Sequence, residues 1–121
     1  MLHRVLVIWL LVATCGHAAE PRFRHYTVAD GLPSPAVVEV VQDTSGYIWS
    51  ATGDGLARFD GREFRVFRNA PDDAASLPCN DVQTVLATRD GRIYVGCESS
   101  GLAMLADTNA SKFRTDRKSV V

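Results

Sequence analysis

"QDTSGYIWSATGDGLARFDG", Gln42–Gly61, decides how this chain is read. Three turn signals, Asp43–Gly46, Gly53–Gly55 and Asp60–Gly61, separate short β-branched and aromatic runs. None of the runs is long enough for an amphipathic helix, and Asp-Gly between such runs is a strong hairpin signal. The spacing predicts strands at Val37–Gln42, Tyr47–Ala51, Leu56–Phe59 and Glu63–Arg68. Val37–Gln42 is nearly continuous in apolar character, the pattern of a strand covered on both faces. Gly46, after "DTS", is free to take a positive φ and turn the chain.

The same sentence is then written again. "GLPSPAVVEVVQDTSGYIWSATGDGLARFDG" aligns with "SLPCNDVQTVLATRDGRIYVGCESSGLAMLAD" at an offset of 45. Leu32–Pro33 falls on Leu77–Pro78, Gly46 on Gly91 and Trp49 on Tyr94; after one inserted residue, Gly55–Leu56 falls on Gly101–Leu102. Strands are expected again at Val82–Ala87, Arg92–Val95, Leu102–Leu105 and a stump around Lys112–Arg114. A Phe-Arg phrase precedes, separates and follows the copies, at Phe23, Phe64 and Phe113. A period in the forties, built from short strands and Gly/Asp turns, is that of a propeller blade. The expected fold is all-β: an incomplete β-propeller of about two four-stranded antiparallel blades, repeat 1 at 31–68 and repeat 2 at 76–114. Arg22–Thr27 then reads as an orphan fourth strand. Propellers have four to eight blades, so further blades of the same parent chain are implied partners.

Composition excludes some functions. The chain is 46% apolar and 22% charged with a formal net charge of −1, and Arg58, Arg62, Arg65 and Arg68 are interrupted by Asp60 and Glu63. No basic stripe exists, so nucleic-acid binding is not expected. The N-terminus carries Arg4, an apolar run from Val5 to Ala13 and small residues to Ala19. That is a secretory leader over residues 1–19, too short in its apolar core to cross a bilayer as a helix. At the other end "DRKSVV", Asp116–Val121, breaks the pattern, and one back-translation of it reads as a sequencing-library adapter; residues 116–121 are expected to be a non-native tail. Between them, residues 20–115 hold 10 basic and 13 acidic side chains, a net −3. Two blades with bare outer faces are expected to associate.

Export permits a disulfide between Cys79 and Cys97. A hairpin with Val82 facing Cys97 and Ala87 facing Arg92 leaves Cys79 three residues out of register. Bridging tolerates only short Cα separations, so two free buried thiols are expected.

With these residues in hand, the chain resembles the two-component regulator propeller repeat family. The resemblance rests on Phe23 and Tyr26, Gly31–Pro33, Asp43 and Gly46, Ile48–Trp49, Thr52, Gly55–Leu56 and Phe59–Gly61. The second copy departs from the pattern, with Tyr94 for Trp, Cys97 for Thr and Ala106 where the aromatic-Asp-Gly phrase weakens. It implies a large periplasmic sensor propeller, followed by a small β-sandwich, a transmembrane helix and a cytoplasmic output. That output is a histidine kinase, sometimes fused to a response regulator, or a diguanylate cyclase. The ligand is then a small molecule or glycan, and the full-length sensor a homodimer on the periplasmic side of the inner membrane. No kinase or cyclase motif occurs within these residues, and no cofactor is expected.

Candidate sites read as structural. Trp49 and Tyr94 have the chemistry to stack on a sugar, yet their equivalent mid-strand places point to packing between blades. Asp43 and Asp90 lack the alternating acids of a calcium loop, which leaves turn hydrogen bonding. His25 has no companion ligand at metal spacing. "DTSGYIW" is similar to a sialidase Asp-box with Asp43 and Gly46 one residue too far apart, and no carboxylate pair for glycoside hydrolysis can be assigned. Ser34, Ser45, Ser76 and Ser99 lack a partnered base. The repeat signature is Leu32, Pro33, Asp43, Gly46, Trp49, Gly55, Leu56, Asp60, Gly61, Leu77, Pro78, Asp90, Gly91, Tyr94, Gly101 and Leu102. The competing functional class is a secreted propeller glycosidase or lyase, or a free-standing binding module. Downstream sequence discriminates the classes.

Overall fold

The computed structural model describes residues 16–115. The apolar run Val5–Ala13, expected to belong to a leader, and the Asp116–Val121 segment, expected to be a non-native tail, lie outside the described residues.

Eight strands form two four-stranded antiparallel sheets, each in simple meander order. Blade 1 holds β1 (Val37–Gln42), β2 (Ile48–Thr52), β3 (Gly55–Phe59) and β4 (Phe64–Phe67). Blade 2 holds β5 (Val82–Ala87), β6 (Ile93–Cys97), β7 (Gly101–Leu105) and β8 (Phe113–Thr115). A 3-10 turn at Val28–Asp30 is the sole helical element among the described residues. The chemistry of the turns explains the boundaries. Gly46 takes φ 90° after Asp43, and Asp60 Oδ1 accepts the Arg62 and Glu63 amides at 2.8 Å each.

The sheets lie face to face. Trp49, Ala51, Leu56 and Phe67 of blade 1 share one buried cluster with Val82, Val85, Ile93, Val95, Ala103, Leu105 and Phe113 of blade 2. Side chains alternate across each strand, so each blade spends one face on this seam and leaves the other outward.

Four expectations need correction. β1 is not covered on both faces: Val38 and Val40 are each 56% exposed. Its continuous apolar character suits a second covering sheet that the described residues do not contain. Arg22–Thr27 is no strand, because it has no ladder partner among the described residues. The register of the second hairpin is also displaced. Val82 faces Cys97, but Ala87 faces Ile93, because a bulge between Val82 and Thr84 inserts one residue. β1 carries the same bulge between Val37 and Glu39.

The thiols are not free: Cys79 and Cys97 form a disulfide across a Cα separation of 6.0 Å. Counting outward along a straight ladder put Cys79 beyond reach. The chain bends instead, with the Val82 amide donating to the Asn80 carbonyl at 3.1 Å, and the bend folds Cys79 back beside β6.

Candidate functional site

The seam between blades begins at Asp43. Its carboxylate accepts the Ser45 amide at 2.8 Å and the Tyr47 amide at 3.0 Å through Oδ1, and the Trp49 indole N–H at 2.7 Å through Oδ2. One buried side chain thereby closes the β1–β2 turn and sets the tryptophan ring. Trp49 has no exposed surface; its ring stacks on Phe67 at 5.7 Å, and Phe67 meets Phe113 of blade 2 edge-on at 5.7 Å. Aromatic contacts of this geometry add about 0.5–1.5 kcal/mol each beyond area burial.

Polar ties stitch the rim of the seam. Glu39 Oε2 accepts the Thr84 hydroxyl at 2.6 Å and the Val85 amide at 3.3 Å, joining the two inner strands. Arg58 lies over the Tyr47 ring at 4.5 Å and donates from Nη1 to the Thr108 carbonyl at 2.6 Å. The Gly55 amide donates to the Asn80 carbonyl at 2.6 Å. A Cβ at Gly55 would stand 2.5 Å from the Phe67 carbonyl oxygen, so glycine is required there for close approach as well as for its φ of 119°.

Equivalent residues have opposite surroundings in the two blades. Trp49 and Leu56 are sealed by blade 2, whereas Tyr94 is half-buried and Leu102 is 47% exposed. Tyr94 and Leu102, with Leu86, Thr84 and Gly96, line an open groove of about 340 Å³ on the outer face of blade 2. Leu32 and Leu77 are buried and Pro33 and Pro78 half-buried, at the entry to each blade.

The second turn is built with other chemistry. Thr88 stands where Asp43 stands in the first copy, and its hydroxyl accepts the Arg92 amide at 3.1 Å and donates to Asp90. That hydroxyl holds the Asp90 carboxyl below its usual range, helped by Arg92 at 3.4 Å. The Glu63 and Arg62 amides lower Asp60 in the same way. At the opposite end of blade 2, Glu98 is raised by a hydrogen bond to the Asp81 carboxyl and by its charge. Among the described residues no group of three or more His, Cys, Asp or Glu side chains is placed to hold a metal ion. Sequence reasoning did not find Glu39 or Arg58. Both are isolated charges on otherwise apolar strands, which is the signal that marks them.

The comparisons with known proteins agree with this geometry. Residues 76–99 match the family described as Two component regulator propeller. Over 73 residues, 60% of this chain, the sequence is 38% identical to histidine kinase P4 of Formosa agariphila, of which the match covers 5%. The fold is similar to the extracellular domain of a hybrid two component system from B. thetaiotaomicron, with a TM-score of 0.68 at 23% identity. That match covers 76% of this chain and 13% of the other. The chain thus spans a small part of the length of either protein. Two successive blades, joined through Asp43-set aromatic packing, carry the repeat twice, and the match to the two-component regulator propeller family falls in the second copy.

Proposed function

We propose that this chain is part of the periplasmic ligand-sensing propeller of a two-component sensor, with the catalytic output, a histidine kinase or a diguanylate cyclase, encoded elsewhere in a longer protein. The observation that carries the reading is the asymmetry of the two blades. Positions sealed in blade 1 by its neighbour stand open in blade 2, so the unit has places for further blades on either side. A histidine kinase at 38% identity, of which the match covers 5%, supports a parent much longer than this chain. The disulfide supports export, since such bonds persist in oxidising compartments, and residues 1–19 are its leader. The 116–121 tail is foreign to the parent. A small molecule or glycan, bound by the complete propeller of a homodimer on the periplasmic side of the inner membrane, shifts output only if it binds one arrangement more tightly than the other.

A long sequencing read across the locus tests this. The expected result is further repeats, then a membrane-spanning run and a kinase or cyclase domain. A stop soon after ring closure, with clustered carboxylates facing the channel, would replace the sensor by a secreted enzyme.

A further inference from the structure

Along the sequence Arg58 and Arg65 are interspersed with carboxylates, but the ladder sets them directly opposite each other on β3 and β4. Opposed residues share one face of a sheet, with Cβ atoms about 5 Å apart, and like charges so placed repel. Each guanidinium leans on a ring instead of a carboxylate: Arg58 over Tyr47 at 4.5 Å and Arg65 over Phe67 at 5.0 Å. Neither joins an ion pair among the described residues, where the bridges formed are Arg68 to Asp54 and Arg92 to Asp90.

The pair is peculiar to blade 1. In the same row of blade 2, Tyr94, Met104 and Arg114 stand where Trp49, Arg58 and Arg65 stand. One arginine beside a thioether suffices to build that row, so packing alone does not call for a second cation. Arg58 is also incompletely satisfied. Its Nη1 donates to the Thr108 carbonyl at 2.6 Å, but its Nε is buried with no acceptor among the described residues. Orphaned buried donors are rare in folded proteins, and a charged one calls strongly for an acceptor.

A cleft of about 300 Å³ opens beside the pair, lined by Arg58, Asp60, Glu63, Phe64 and Arg65. Its carboxylates do not take up the guanidiniums. Asp60 Oδ1 is engaged by the Arg62 and Glu63 amides, which close the β3–β4 turn. Glu63 forms no ion pair among the described residues. The strand end of the cleft is therefore basic and the turn end acidic.

We propose that Arg58 and Arg65 form a binding site for an oxyanion, the carboxylate, sulfate or phosphate group of a small acidic ligand held between the two guanidiniums. Guanidinium forks match such groups in shape and bond to them more strongly than neutral donors do. The anion would cancel the repulsion across the ladder and offer Arg58 a further acceptor. Because Arg58 also reaches across to Thr108, occupancy would tighten the hold of blade 1 on blade 2. As the ligand class of a sensor, the inference rests on the reading above; as a binding site, it rests on this geometry alone.

Sulfate, phosphate and acetate, titrated separately into the 121-residue chain, test it. Each is compared with chloride at matched ionic strength, and NMR follows the arginine Nε–H and tryptophan indole N–H signals. At least one anion is expected to move the Arg58 and Arg65 signals saturably, with half-saturation on the order of 1 mM. The tightest of the three names the head group. R65M is expected to raise that concentration at least ~10-fold, while an unmoved Trp49 signal shows the fold intact. R65K, which keeps the charge and loses the fork, falls between them. Movement equal to that in chloride is ionic screening and overturns the proposal, as does movement that never saturates or that R65M leaves unchanged. Should R65M fail to fold, the wild-type titration decides alone. Each of these failures leaves the sensor reading standing, because the sequence of the locus tests that separately.

Discussion

Asp43 and Trp49 act as one device. Replacing Trp49 by Phe keeps most of the apolar volume but takes the donor from a carboxylate oxygen that is buried. A buried group left without its partner costs about 1–3 kcal/mol, and urea unfolding of W49F is expected to show a loss in that range or somewhat above. The second copy shows why the pair changes together: with Tyr94 there is no indole N–H, and Thr88 replaces the carboxylate. Glycines separate by the same logic. Gly46 at φ 90° has no atom within 4 Å of an added Cβ, whereas at Gly55 the Phe67 carbonyl blocks it. Strained backbone alone costs about 1–3 kcal/mol. G46A should therefore lose roughly 1 kcal/mol and G55A clearly more, read as the difference between their urea midpoints.

The strands themselves were largely legible: β1 and β5 have the limits their apolar runs imply, since turn chemistry at both ends fixes them. The ladder was less so. A bulge leaves no mark in an alternating pattern, so the one-residue slip at Val82–Thr84 escaped detection; the approach of Cys79 to Cys97 was hidden by the bend at Asn80–Val82, which takes the chain off the straight ladder. Arg22–Thr27 has the composition of a strand without a partner among the described residues to make it one. The disulfide closes a separation of 18 residues. For a loop near that size the chain-entropy estimate is about 3 kcal/mol. C79A/C97A is expected to unfold at correspondingly lower urea. Mass spectrometry of the oxidised protein should find neither Cys79 nor Cys97 alkylated before reduction.

For the whole molecule, the seam fixes how the two blades lie, while their outer faces carry Val38, Val40, Leu86 and Leu102 in the open. Exposed apolar sheet promotes association. The 121-residue chain is expected to sediment with concentration-dependent mass, and L86K/L102K to lower that mass at equal concentration. The candidate site was legible only as repeat positions. Glu39 and Arg58 act between blades, and a single copy of the repeat says nothing about its neighbour. The bond between Cys79 and Cys97 has a wider meaning. At the offset of 45 its two places are held in the first copy by Ser34 and Thr52, and the same amide-to-carbonyl bend precedes both inner strands. Covalent locking is thus a modular option of the repeat rather than a peculiarity of one wedge: S34C/T52C should crosslink spontaneously under air, seen as a loss of about two mass units, at the expense of the Thr52 hydroxyl's tie to Gly55.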